Sequence, residues 1–245
     1  MRLWAAFGSI LAKDMRTYYL KPPNVSWGLV FPLAWTGMFF VRSGANPSEL
    51  RTLLPGVMTL AVLFGTTSLL AVAITFERSN RSLERLLLAP VPLSLLMFAK
   101  TAGAILFGVL NAFVPVVLAA FFINLSEVNW PALVAGVILT AVSSAFLGLL
   151  VAVSVAQVFE AQTLSNFFRF PMVFLCGLFF PLEKLPIWLR PLSYALPPTY
   201  GADIINQATG RPGLLPLWLE LLILVAFCLA LFVASIRTIN RRWIA

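Results

Sequence analysis

Residues 77–92 read ERSNRSLERLLLAPVP. The first nine of these positions hold five charged side chains, although only 11% of the whole chain is charged. Apolar runs at residues 53–76 and 101–123 lie on either side, and each is long enough to cross a bilayer. A short charged helix between two membrane spans predicts a segment that contacts a cytosolic partner and passes force into the membrane.

The composition indicates a helical integral membrane protein. Of the 245 residues, 60% are hydrophobic, whereas soluble domains average about 45–50% apolar and about 25% charged residues. We predict an all-α polytopic fold with six transmembrane helices at residues 24–41, 53–76, 101–123, 131–159, 164–180 and 214–236. The chain has no histidine, which excludes imidazole as a metal ligand or acid–base group. Its two cysteines lie within apolar runs, as is typical of buried thiols rather than a redox pair.

The placement of lysine and arginine predicts the orientation, because cytoplasmic loops carry an excess of these residues. Five of the 17 lie in the predicted outer segments: Arg42, Arg51, Lys184, Arg190 and Arg211. The other twelve lie in the segments that share a side with the termini: Arg2, Lys13, Arg16, Lys21, Arg78, Arg81, Arg85, Lys100, Arg169, Arg237, Arg241 and Arg242. Both termini are therefore predicted to be cytoplasmic, and the net charge of +8 follows topology rather than nucleic-acid binding.

The N-terminal residues 1–21 are too charged to span and predict an amphipathic helix at the membrane interface. One arc of its helical wheel is apolar: Leu3, Trp4, Phe7, Leu11, Met15 and Tyr18. Asp14 intrudes on that apolar side. The Lys21-Pro22-Pro23 sequence then predicts a break before the first span.

Small residues repeat at helical spacing along the fourth predicted span. They are Ala141, Ser144, Ala145 and Gly148. Such a stripe predicts close packing of helices, within one chain or between chains.

Within residues 77–92, Leu83, Leu86 and Leu87 fall at the i, i+3, i+4 spacing of one helix face. Charged residues fall on the other side, and Pro90 and Pro92 end the helix. About two turns of helix are unstable alone, so this helix needs a surface on which to lie. The spacing leaves two alternatives open, a partner protein or lipid headgroups.

The stretch from residue 179 to residue 213 is the second unusual segment. Its prolines divide apolar pieces that are too short to cross a membrane, and its Trp and Tyr residues are typical of the headgroup region. We predict short helices that dip into or lie on the outer leaflet, forming a re-entrant hairpin over residues 181–213 between the fifth and sixth spans. It serves either as a gate or as an inert cap.

Together these motifs resemble the membrane permease subunit of ABC-2 type exporters over essentially the whole chain. The resemblance rests on the N-terminal interfacial helix, on ER…LERLLLAPVPLS, and on GLFFPLEKLPIWLRPLSYALPPTYGADIINQ before the sixth span. It implies one transmembrane domain, residues 1–245, in the plasma (inner) membrane, paired with a second permease copy or a paralogue. Two copies of an ABC ATPase subunit, which bind ATP and Mg²⁺, would be the partners.

The resemblance also assigns roles to particular residues. It implies that a coupling helix contacts the ATPase through Ser82, Leu83, Glu84, Arg85, Leu86, Leu87, Leu88 and Ala89. It implies that an outer gate includes Pro181, Glu183, Pro186, Trp188, Tyr194, Pro198 and Tyr200. The expected cargo is a hydrophobic or amphipathic drug, lipid or glycolipid, with polysaccharide or sodium export as the alternative.

Other classes of function have less support in the sequence. The chain has no G-x-x-x-x-G-K-[ST] phosphate loop and only four lysines, so we expect no ATP hydrolysis and no bound cofactor. An intramembrane enzyme would need several polar side chains within its spans for acid–base chemistry. Here few are present, mainly Asn111, Gln157, Asn166 and Glu220. A secondary transporter would be expected to carry clear charged centres within its spans.

Overall fold

The computed structural model describes residues 2–42, 47–178 and 182–244, and within these ranges all regular secondary structure is helical. Ten α-helices are defined there: α1 Arg2–Asp14, α2 Pro22–Arg42, α3 Pro47–Ser79, α4 Ser82–Leu87, α5 Leu93–Ala119, α6 Trp130–Ser154, α7 Val158–Leu175, α8 Arg190–Tyr194, α9 Pro197–Ala208 and α10 Leu217–Ile239. A π-helical turn, Met15–Tyr19, follows α1, a 3₁₀ turn, Leu182–Lys184, precedes α8, and a second π-helical turn, Asn240–Ile244, follows α10.

Four of the described helices are long and apolar enough to cross a membrane. They are α3 from Arg51 onward, α5, α6 and α10. The chain is therefore a polytopic helical membrane protein. These helices differ in how much of them is buried within the chain. In the most apolar 18 residues of α3, 83% are buried, whereas in those of α10 only 22% are buried.

Helix α3 lies at the centre of the bundle, where it contacts α2, α5, α6 and α7. The small-residue stripe on α6 makes the contact with α3 close, as predicted. The Thr67 hydroxyl donates a hydrogen bond to the Ser144 carbonyl at 3.2 Å. A Cβ added to Gly148 would lie 2.5 Å from the backbone oxygen of Thr67. Only glycine allows the two backbones to approach this closely.

Two buried apolar clusters occupy the two ends of the bundle. One gathers side chains from α3, α4, α5, α6 and the C-terminal end of α10, including Leu83 and Ile239. The other joins the opposite ends of α3, α5 and α6 with α9, including Leu54 and Ile205. We call these the α4 end and the α9 end. The first turn of α6 is fixed at the α9 end by the Asn129 N–H, which donates to the Ala208 carbonyl at 2.8 Å.

Several helix limits differ from the predicted spans. The fourth span was predicted to run to residue 159, but α6 ends at Ser154. A capping box of Gln157 and Glu160 starts α7 there, which is six residues before the predicted start of the fifth span at 164. Helix α7 ends at Leu175 rather than at residue 180. Residues 179–181, which include the predicted gate residue Pro181, lie outside the described ranges.

Helix α5 begins at Leu93, eight residues before the predicted third span. Pro92 precedes it and supplies the fixed φ of a helix start. The apolar pattern alone missed this first part of α5 because it contains Lys100, which the sequence analysis assigned to a loop. That lysine is buried within the fold.

Candidate functional site

A tight turn places α4 directly after the end of α3. Arg81 adopts a left-handed backbone conformation with φ of 54°, which non-glycine residues rarely adopt. The Ser82 hydroxyl donates a hydrogen bond to the Glu77 carbonyl at 3.0 Å. This turn redirects the chain within two residues, so that α4 packs against the α4 end of the bundle.

The two faces of α4 have different surroundings. Leu83 is 1% exposed and belongs to the apolar cluster at this end, against which Leu86 and Leu87 also pack. Glu84 and Arg85 are exposed. Leu88 is 87% exposed, although it was predicted to be part of the same helix, because α4 ends at Leu87. The structure thus presents two charged side chains and one leucine outward, and Ala89 follows in the turn.

Four charged residues form an ion-pair cluster beside this turn: Lys13, Asp14, Glu77 and Lys100. Lys13 Nζ lies 2.6 Å from Glu77 Oε1 and 3.0 Å from Asp14 Oδ1. Lys100 Nζ lies 3.0 Å from Asp14 Oδ2 and also contacts Glu77 Oε2. The two positive and two negative charges compensate one another, which is what allows Asp14, Glu77 and Lys100 to be almost wholly buried.

The ion-pair cluster connects three elements, since its members come from α1, α3 and α5. Sequence reasoning missed it and counted Glu77 among the five charges of residues 77–92, the segment predicted to contact a cytosolic partner. That interpretation was wrong, because Glu77 is 1% exposed and faces inward. The sequence did contain one signal of this cluster. Asp14 lies on the apolar side of α1, and an acid among apolar residues needs a buried cation. Partial burial alone lowers the pKa of Lys13, but its hydrogen bonds to Glu77 and Asp14 outweigh burial and raise that pKa above its usual value.

At the α9 end, the predicted gate residues fall into two groups. Pro198 and Tyr200 are buried on α9, and the Tyr200 hydroxyl donates to the Tyr194 carbonyl at 2.8 Å. Pro186 and Trp188 are exposed and precede α8. The backbone of Glu183 lies in the 3₁₀ turn. The structure therefore brings Tyr194 and Tyr200 together and leaves Pro186 and Trp188 on the surface.

A carboxylate pair, Asp203 on α9 and Glu220 on α10, also lies at this end. Gln207 Nε2 donates to Asp203 Oδ2 at 3.1 Å and to Glu220 Oε2 at 2.8 Å. The Leu214 N–H donates to Asp203 Oδ2 at 2.8 Å. Asp203 also lines a cleft of about 390 Å³ between α3, the segment after α7, α9 and the loop before α10. These acids are held by donors from the chain itself and join α9 to α10.

Both cysteines are buried and free, as the sequence predicted. Cys176 lies at the end of α7, and the thiol of Cys228 lies 3.7 Å from the Leu139 carbonyl. The two residues lie on different elements, and neither forms a disulfide. They act as small apolar side chains in the packing of the bundle.

Comparisons with known proteins agree with this architecture. A family model described as ABC-2 type transporter matches residues 5–209. The chain is 24% identical over 246 residues to the inner membrane transport permease YadH of Escherichia coli (strain K12), covering 97% of this chain and 96% of that protein. It is 29% identical over 102 residues to heme exporter protein B of Pseudomonas aeruginosa, covering 42% of this chain and 46% of that protein. It is 25% identical over 211 residues to ABC transporter G family member 20 of Dictyostelium discoideum, covering 82% of this chain and 28% of that protein.

Proposed function

The chain belongs to the ABC-2 type transporter family, and we propose that it is the membrane-spanning permease subunit of an ATP-driven exporter. A separate ABC ATPase, in two copies, binds and hydrolyses ATP with Mg²⁺. A second permease copy, or a paralogue, completes the pathway for a hydrophobic or amphipathic substrate. The names of two relatives, a transport permease and a heme exporter, support this class of function.

The proposed topology has six spans, formed by α2, α3, α5, α6, α7 and α10. Both termini and α4 lie in the cytoplasm, and α8 and α9 form a re-entrant pair on the outer side. The lysine and arginine distribution supports this orientation. The inner membrane location follows the name of the E. coli relative. In this arrangement the residues from Pro181 to Tyr200 lie where an outer gate would be.

The single observation that carries the proposal is the two-sided packing of α4. Leu83 anchors the helix in the apolar cluster, while Glu84, Arg85 and Leu88 remain free to contact an ATPase. Helix α4 begins five residues after Glu77 in the sequence. The ion-pair cluster fixes the Glu77 carboxylate to α1 and α5. A push on α4 therefore reaches α1, α3 and α5 together. This is the mechanical role expected of a coupling helix.

The charge pattern on α4 provides the test. The permease and its ABC ATPase are co-purified and reconstituted, and ATPase activity and complex assembly are measured for wild type and for Glu84→Arg/Arg85→Glu. We expect the double reversal to weaken assembly and to reduce coupled ATPase activity at least about tenfold, because like charges then meet across the interface.

The matched control is Arg16→Glu, a charge reversal on an exposed residue of the π-helical turn after α1, at the same end of the bundle. It should leave assembly and activity near the wild-type level. If the α4 reversal behaves like this control while the protein remains folded, α4 does not contact the motor and the coupling role is refuted.

A further inference from the structure

A cavity lined in part by polar side chains, which we call the polar cavity, lies between helices of the bundle, away from the ion-pair cluster and from the carboxylate pair. Its volume is about 460 Å³, and α3, α5 and α7 form most of its wall. This is within the size range of small-molecule sites, about 300–1,000 Å³. Aromatic and aliphatic side chains such as Phe64 and Phe107 provide much of its lining. Polar side chains reach it from three different helices, namely Ser68, Asn111 and Arg169.

Arg169 is the charged group of this cavity. It lies eleven residues after the start of α7 at Val158, which corresponds to about 16 Å along a helix. In the proposed topology, in which α7 is a membrane span, that is about half of a 30 Å hydrocarbon core. The side chain is nevertheless only 6% exposed, so it does not extend to either surface of the chain.

The guanidinium group has incomplete partners. One of its terminal nitrogens donates to Asn166 Oδ1, and its carbon lies 4.0 Å from the centroid of the Phe64 ring. Its Nε has no hydrogen-bond partner. Among the described residues, no carboxylate lies within ion-pairing distance of Arg169. This contrasts with the ion-pair cluster, where each buried charge has its counter-charge.

Two further donors in the same cavity are also unpaired. Asn111 Nδ2 on α5 and the Ser68 hydroxyl on α3 are buried and have no hydrogen-bond partner among the described residues. An unpaired buried polar group is unfavourable, and so is an arginine without a counter-charge in the middle of a membrane. A site that keeps these groups unpaired carries this cost in every unliganded molecule. One anionic group accepting from all three would remove much of it.

We propose that the polar cavity binds the anionic group, a carboxylate or a phosphate, of an amphipathic transport substrate, with Arg169 as its counter-charge. The inference rests on the proposed export function and narrows its cargo to amphiphiles that carry a negative charge. Asn111 and Ser68 donate to the same group, and the apolar part of the substrate lies against the phenylalanine-lined wall. Cationic drugs and sodium ions are disfavoured by the same arginine.

Binding is tested without ATP, on the purified permease in zwitterionic lipid nanodiscs. The probes share one fluorescent dodecyl chain and differ in the head: carboxylate, monophosphate, methyl ester or trimethylammonium. We expect at least one of the two anions to bind at least about tenfold more tightly than the ester and the cation, since hydrogen bonds to a charged group are worth about 1.5–3 kcal/mol. The comparison of carboxylate with phosphate identifies the preferred head.

Three variants assign the preference to Arg169. Arg169→Gln should abolish the discrimination between anion and ester, Arg169→Lys should keep part of it, and Arg16→Gln, at an exposed site, should leave it unchanged. Equal binding of anions and ester by wild type, or full discrimination in a folded Arg169→Gln protein, overturns the inference. The inference is also overturned if wild type shows no preference for anions and the Arg169→Gln variant no longer forms a dimer. In that case Arg169 serves contacts between two copies of the chain.

Transport measurements separate this inference from the function on which it rests. In vesicles containing the permease and its ATPase, ATP-driven movement of the ester as fast as that of both anions refutes the charge preference and leaves the exporter function intact. Selective anion binding without ATP-driven movement of any probe refutes the exporter function instead.

Discussion

Replacing Lys100 by methionine should destabilise the protein strongly. Lys100 is 2% exposed and contacts both Asp14 and Glu77. Its removal leaves two buried carboxylates with only Lys13, so the ion-pair cluster acquires an uncompensated negative charge. Breaking a buried pair in this way costs about 3–5 kcal/mol. For a chain of this size the cost corresponds to a fall in melting temperature of about 6–20 °C.

Lys13→Met is the matched comparison, because Lys13 belongs to the same cluster but its side chain is 41% exposed. Water screens that charge, and partly exposed pairs contribute about 1 kcal/mol or less. The expected fall in melting temperature is then below about 4 °C. Thermal unfolding of each purified variant in detergent, followed by tryptophan fluorescence, gives both values.

A compensating change tests the electrostatic explanation directly. Asp14→Asn combined with Lys100→Met restores a neutral cluster of Lys13 and Glu77, so it should recover more than half of the stability that Lys100→Met loses. A loss for Lys100→Met no larger than that for Lys13→Met would refute the reasoning. A double variant as unstable as Lys100→Met alone would show that lost packing, rather than charge, causes the effect.

Three further changes have expected outcomes. Gly148→Ala should cost about 1–3 kcal/mol of stability because its Cβ meets the backbone oxygen of Thr67 at 2.5 Å. Gly8→Ala, with open space around it, should gain up to about 1 kcal/mol. Shifts in melting temperature of opposite sign, relative to wild type, confirm the contrast. Glu160→Ala removes the carboxylate that accepts hydrogen bonds from two backbone N–H groups before α7, which should cost about 1 kcal/mol of stability. Hydrogen exchange at those two amides should become faster, and unchanged exchange rates would contradict the capping role. Gln207→Leu removes the donor shared by the carboxylate pair and should lower stability by about 1–3 kcal/mol. A melting temperature equal to that of wild type would contradict a stabilising role for this shared donor.

Local patterns in the sequence predicted much of the fold. The apolar runs predicted the long helices, because a helix that crosses a membrane must be apolar over about 20 residues. The small-residue stripe on α6 predicted its close contact with α3. The leucine spacing of α4 predicted which face of the helix packs inward, because residues three and four apart share one side.

The contacts between distant residues could not be predicted in the same way. The ion-pair cluster joins Asp14 to Lys100 across 86 positions, and nothing in either local sequence specifies the other partner. A lysine within an apolar run was interpreted as a loop residue, because its neutralisation depends on that distant acid. Arg169 was counted among the charges on the cytoplasmic side for the same reason, and only the folded chain places it in a cavity with Asn111 and Ser68.

The unequal burial of α3 and α10 has a consequence for how this protein can diverge. Side chains on α3, such as Met58 and Val62, have neighbours on all sides, so a change of even one methylene disturbs several helices. Outward positions on α10, such as Leu222 and Leu229, have few neighbours within the chain. A saturation mutagenesis scan should therefore find leucine, isoleucine, valine and phenylalanine interchangeable along much of α10 but rarely so on α3. Over evolutionary time, neutral substitutions should accumulate on α10. The residues of α3 should be conserved instead, because all family members with this bundle must preserve their packing.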